Sequence, residues 1–455
     1  MDTMSKTTSD AFEEVIEWAA AQSWSSGKVG LLGISYFAGS QWRVAARQPK
    51  GLTCMIPYDG MADYYRDRNR HGGILTGFLK WWYDRQVLSN QYGRPGKQAK
   101  NWGPDTIEGT MSEPELAANR HDQTTDIPQH LFRDDIYYSS RDYNLEDIKV
   151  PLLSVGNWGS IMIHLHGNIE GFVQASSPHK FLHMVVGRHD LPIYQDEETA
   201  LQKSFFDAFM KGDDRDGWTD GTRPPVDLIL RKGDVGYNKP LAEKSFKRRF
   251  ENEWPIARTV YTKYFLTPAG SLVTKEPRLT PSKLSYPALS VPGKPDLLIF
   301  ETSPFETETE ITGHTVAHLN VAVTAKPGGP APTDLDLFLT LRHYAADGHE
   351  IFYTGIQGEP VPLCKGWQRV SLRKVNREHH RHREYLPYRD YFSTDVLPVI
   401  LGEVYPVDVE IWATSVVAQP GEKIGLEISS GDTQGCGIFG HDTPERSVRL
   451  FRLPN

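Results

Sequence analysis

Apolar positions along this chain fall into two periods. Over roughly the first 212 residues, short apolar runs alternate with helical patterns. Asp10 with Glu13 reads as a capping box, and Phe12, Val15, Ile16 and Ala19 recur at helical spacing. That predicts an amphipathic helix ending near Ser25-Ser26-Gly27. A strand-type run over 29–33 follows, then a helical pattern through Trp42, Val44, Ala45 and Ala46. Further strand-type runs cover 52–57, 150–156 and 181–187, and a helix over 200–210 stops at Lys211-Gly212. Strand and helix in alternation predict a parallel α/β sheet. Between Met61 and about Lys149 the strand signal gives way to aromatics set among charges. Phe78, Trp81 and Trp82 fit one helix face, so this stretch reads as a helical insertion. Its aromatics serve either as the insertion's own core or as the lining of a substrate pocket.

After Pro224-Pro225 the period switches to two. Alternating runs at 226–230, 259–266, 297–301, 316–324, 335–341, 368–372, 406–411, 424–429 and 447–451 predict an all-β sandwich of jelly-roll type. The expected organisation is an α/β core over 1–60 and 148–242, a helical cap over 61–147, and the β-sandwich over 243–455.

Composition narrows the function classes. With 39% hydrophobic and 24% charged residues, the 455-residue chain reads as globular. A net charge of −8 without a basic block argues against a nucleic-acid partner. Cys54, Cys364 and Cys436 lie far apart and read as reduced thiols of an intracellular protein. No signal-peptide pattern opens the chain and no long apolar run occurs, so a cytoplasmic location without a membrane partner is expected. His379, His380 and His382 lack a carboxylate companion and read as a solvated loop rather than a metal site.

The candidate chemistry sits at Gly33-Ile34-Ser35-Tyr36. A strand that stops at a glycine, followed by serine and a helix, is the pattern of a nucleophile elbow. Small residues must press against it, which Gly33 and Ala38 supply, although Phe37 stands where G-x-S-x-G places its second glycine. The Tyr36 N–H would face a developing oxyanion.

These residues carry a family resemblance. The elbow with Trp24, Gly27-Lys28-Val29-Gly30 and Gln41-Trp42 resembles the cocaine esterase and X-Pro dipeptidyl-peptidase family of serine hydrolases. So do Val150-Pro151-Leu152-Leu153, Phe205-Phe206-Asp207 and, further on, Glu253-Trp254-Pro255, Asp334-Leu335-Asp336 and Ala413-Thr414-Ser415. The resemblance implies an α/β-hydrolase sheet with a helical cap, a C-terminal jelly roll, and hydrolysis of esters or amides through an acyl-enzyme. It implies no cofactor, a small ester or peptide-like substrate, and an exposed sheet edge that would encourage a homo-oligomer. Family members carry earlier strands and a tyrosine that completes the oxyanion hole. Against that pattern this chain reads as N-terminally incomplete, with a weakly active or non-catalytic binding form as the alternative.

His189 follows the last α/β strand, where the family places its base. The family's acid position reads Asn157-Trp158-Gly159-Ser160, without a carboxylate. Asp59, at the carboxyl end of the strand after the elbow, is the expected acid, with Asp63 and Glu170 as substitutes. Asp190 adjoins His189, and neighbouring side chains diverge.

Overall fold

The computed structural model describes residues 3–87, 112–118, 122–277, 281–288, 294–329, 331–433 and 440–441. Helix α1 (Lys6–Ala21) starts earlier than its apolar spacing predicts. Ser5 caps it by accepting the Thr8 N–H at 3.3 Å. Asp10 is no cap; it pairs with Lys6 at 2.8 Å and Arg47 at 2.5 Å. Ile16 is buried, but Val15 and Trp18 stand exposed.

Strand β1 (Val29–Ile34), helix α2 (Tyr36–Ala45) and strand β2 (Leu52–Tyr58) follow. Then come β3 (Leu152–Asn157), α3 (Leu165–Gln174), β4 (Lys180–Val185), α4 (Asp196–Phe206) and β5 (Val226–Lys232). The five strands lie side by side in chain order, all parallel. Side chains alternate across the sheet. Cys54, Ile56, Tyr58, Leu153 and Val155 pack with Phe181, Phe205 and Trp218. Leu31, Met55 and Leu152 pack oppositely with Ile16, Trp42 and Val44.

Within 61–147 the described residues form short turns of helix and, unlike the purely helical insertion expected, an antiparallel pair of two-residue strands, Arg70–His71 and Ile74–Leu75. Tyr64, Tyr65, Leu75, Leu79, Ile127, Tyr137 and Tyr138 pack in one core with Met4 and Met61, and Tyr36 and Tyr391 lie against it. Phe78 instead joins the large core shared by both halves, with Trp81 and Trp82 packed against it.

The second half is β-rich. Strand β6 (Lys247–Glu251) pairs antiparallel with β5, so it belongs to the α/β sheet although it lies beyond the expected division at 242. There follow β7 (Phe265–Leu266), β8 (Ser271–Val273), β9 (Leu297–Thr302), β10 (Thr309–Ala322), β11 (Asp336–Tyr344), β12 (Cys364–Arg369), β13 (Val404–Ala418) and β14 (Lys423–Ser429). The run at 259–266 forms a strand only in its last two residues, and Val370–Leu372 of the run at 368–372 is a 3-10 turn. The run at 447–451 and Cys436 lie outside the described residues. Strand β13 pairs in parallel with β5 through Val416–Arg231 and Val417–Lys232, so hydrogen-bonded backbone runs from one half into the other. Close contacts tighten this seam. A Cβ on Gly159 would sit 1.8 Å from the Thr354 carbonyl oxygen, and one on Gly72 2.1 Å from that of Trp367. No helix among the described residues is long and apolar enough to cross a membrane.

Candidate active site

Ser35 stands between β1 and α2 with φ 62° and ψ −117°, a conformation that non-glycine residues adopt only when their surroundings enforce it. The enforcement is visible. The Ser35 N–H donates to the carbonyls of Tyr58 and Asp59, both at 3.1 Å. A Cβ on Gly33 would meet Phe37 Cβ at 2.5 Å, and one on Gly60 would meet Ala38 Cβ at 2.3 Å. Phe37 fits where the motif expects glycine because its side chain points out, 68% exposed. Tyr36 is the first residue of α2, so its N–H is one of the helix's leading amides.

Asp59 directly follows β2 with φ 43° and is fully buried. Its Oδ2 accepts two hydrogen bonds, from His189 Nδ1 at 2.7 Å and Ser160 Oγ at 2.7 Å. The loop after β3 has no carboxylate, yet it serves the one supplied from β2. Asn157 spans that loop, donating to the Gly187 carbonyl at 2.9 Å and accepting the Gly159 N–H at 2.9 Å. The His189 N–H is held by the Ile356 carbonyl of the β-rich half at 2.9 Å.

The other carboxylates are engaged elsewhere. Asp63 caps the turn Tyr64–Asn69 through the amides of Tyr65 and Arg66, and pairs with the Arg66 guanidinium. Glu170 binds Gln174, and Asp190 pairs with Arg188 at 2.9 Å. Burial pushes the thiols of Cys54 and Cys364 up to about 12, far from a thiolate nucleophile at neutral pH. His379 stacks on Tyr388, and His380, contrary to the sequence reading, does have a carboxylate companion in Glu146 at 2.7 Å.

One contact differs from expectation. Among the described residues, Ser35 Oγ has a single hydrogen-bond partner, and it is His164, with Nε2 3.4 Å away. His189 lies one ring further, stacked on His164 with centroids 4.9 Å apart and planes at 16°. Sequence reading missed His164. It sits at the start of α3, and only the His164-Leu165-His166 pair just after the Asn157–Ser160 loop hinted at it. Burial, against the pull of Asp59 and aided by His189, pushes His164 down to about 3. The ring is therefore neutral at any physiological pH. Its Nδ1 faces the Met61 N–H at 3.1 Å.

Helix α3 locks these groups in place. Asn168 accepts the Gly60 N–H at 2.6 Å and donates to the Pro57 carbonyl at 3.0 Å. A Cβ on Gly167 would lie 2.2 Å from the Ala62 nitrogen. His166, next along, pairs with Asp67 at 2.6 Å and with Glu410 of β13 at 3.4 Å.

Comparison with known proteins gives two family matches that between them span most of the chain. Residues 1–190 match the X-Pro dipeptidyl-peptidase family S15, and residues 217–451 match the X-Pro dipeptidyl-peptidase C-terminal non-catalytic domain. A Mycobacterium bovis protein named as a serine esterase is 23% identical over 516 residues, covering 96% of this chain and 76% of that one. Cocaine esterase of a Rhodococcus species is 25% identical over 496 residues, covering 92% of this chain and 76% of its own. Among solved structures, a CocE/NonD family hydrolase of Staphylococcus aureus superposes with a TM-score of 0.80 at 24% identity, covering 98% of this chain and 72% of that one.

Proposed function

This chain belongs to the cocaine esterase and X-Pro dipeptidyl-peptidase family of serine hydrolases, and on that premise we propose that it hydrolyses an ester or amide through an acyl-enzyme on Ser35. The observation that carries this reading is the Asp59–His189 pair at 2.7 Å, gathered beside a strained serine elbow. Asp59 fixes the His189 tautomer with the proton on Nδ1, which leaves Nε2 bare to take the serine proton. In the reaction Ser35 Oγ exchanges its contact with His164 for one with His189, whose ring is stacked on that of His164, in line with catalytic hydrogen bonds that tighten only when substrate arrives. The Tyr36 N–H then faces the oxyanion. Substrates are small esters or peptide-like amides; the relative named cocaine esterase favours trying esters first.

A fluorophosphonate probe tests the reading directly. The wild type is expected to be labelled and Ser35→Ala to remain dark. Asp59→Asn is expected to lower kcat on a chromogenic ester by about 10⁴-fold, because it leaves His189 in the wrong tautomer. A folded wild type that takes no label would reverse the conclusion and leave a non-catalytic binding role.

A further inference from the structure

His164 touches the reacting oxygen, yet it is no base. The Met61 N–H can donate only to a bare ring nitrogen, so His164 Nδ1 is the unprotonated one. In a neutral imidazole the single proton then sits on Nε2, and Nε2 is the atom facing Ser35 Oγ at 3.4 Å. A nitrogen that carries its own proton cannot accept the serine's. It can only donate.

We propose that His164 is a catalytic N–H donor at the Ser35 centre, holding Oγ in the free enzyme and donating to the substrate oxygen that gains charge. The inference rests on the acyl-enzyme reading above. In the step it serves, the Oγ–carbon bond forms as the Oγ proton passes to His189 Nε2. The carbonyl π pair moves onto oxygen, two bonds from Oγ and within reach of a donor already seated against Oγ. When the intermediate collapses, that pair re-forms the carbonyl. The bond to the leaving group breaks, and the leaving group takes the proton from His189. Water repeats the sequence and frees Ser35. Throughout, His164 keeps its proton.

The surroundings suit a donor that stays neutral above about pH 3. His164 is 3% exposed, and the groups facing it are Asp59, His189 and the Met61 amide. Its pH response is displaced far below that of a free imidazole, which keeps a second positive charge away from His189. Gly167, with no room for a Cβ against Ala62, sets the ring's backbone at a fixed height over the elbow.

Two substitutions separate donor from spacer. In His164→Gln the amide nitrogen overlays Nε2, keeping the donor toward Ser35. In His164→Asn the amide oxygen overlays Nδ1, keeping only the contact with Met61. With p-nitrophenyl acetate as probe, Asn is expected to lower kcat by about 10²- to 10³-fold with little change in KM. Gln is expected to retain kcat within about tenfold of wild type, a smaller loss than removal of an oxyanion donor. Wild-type kcat in the Asn variant, or equal losses in both variants, would overturn the proposal. Nitrogen-15 NMR of the wild-type imidazoles removes any dependence on variant folding. A His164 proton on Nε2 that persists to pH 4 is expected; a proton on Nδ1, or protonation of both nitrogens near pH 6, would overturn it. Fluorophosphonate labelling of Ser35 is run alongside. A labelled enzyme with an indifferent His164 defeats this proposal alone, whereas an unlabelled wild type defeats both readings.

Discussion

Asp59 holds both of its donors on one oxygen, Oδ2, while Oδ1 is buried without a partner among the described residues. That lopsided arrangement makes Ser160 matter. In Ser160→Ala a buried carboxylate loses one of its two donors, worth about 1–3 kcal/mol. The expected outcome is a lowered Tm and roughly a tenfold fall in kcat, a loss smaller than that of Asp59→Asn. His164 gives a second residue-scale prediction, in stability rather than rate. Below about pH 6.5 the unfolded chain takes up a proton at this imidazole, while the folded chain refuses it until about pH 3. The unfolded state therefore binds more protons across that window, and stability falls on acidification by about 1.4 kcal/mol per pH unit from this group. Urea unfolding from pH 6.5 down to pH 4 should show His164→Gln losing about one proton's share of the wild-type slope. The Asp59–His189 contact and the strand-to-helix elbow at Ser35 were legible because each of these residues stands at a place where a strand run ends. His164 was not, since its role depends on which ring nitrogen meets a backbone amide brought in from residue 61.

Helix α3 sets the distance between β2 and the ring of His164. Gly167 lies against the Ala62 nitrogen, where a backbone atom cannot step aside. Gly167→Ala should therefore overpack the contact and cost about 1–3 kcal/mol. Thermal unfolding checks the stability, and slower fluorophosphonate labelling of Ser35 checks that the displacement reaches the site. The elements themselves were unevenly readable. Strands β2, β3 and β4 are buried on both faces and read as plain apolar runs. Strand β6 escaped notice because its residues, Lys247-Arg248-Arg249-Phe250-Glu251, are an exposed edge pattern of charges with no apolar alternation. The start of α1 was misplaced because Asp10 looks like a cap but is drawn to Lys6 and Arg47 across the helix surface.

At the scale of the whole molecule, the two halves share a sheet through β5 and β13 and meet backbone to backbone at Gly72 and Gly159. Arg231 strengthens this seam, donating from Nε to the Ser415 carbonyl at 2.9 Å and from its guanidinium to Thr414 Oγ1 at 2.6 Å. Heating should therefore unfold both halves together: tryptophan fluorescence and loss of Ser35 labelling are expected to fall at one temperature, as in a single cooperative transition. The division into an α/β half and a β-rich half was legible from the switch in period. Their continuity was not, because pairing between residues 231 and 416 leaves no trace in local pattern. The hold of Ile356 on the His189 amide then has a consequence for how the two halves depend on each other. The segment whose family description calls it non-catalytic fixes the backbone of His189, the histidine paired with Asp59. Exchanging the second half of this chain would thus replace the carbonyl that holds the His189 backbone, and with it the setting of that imidazole.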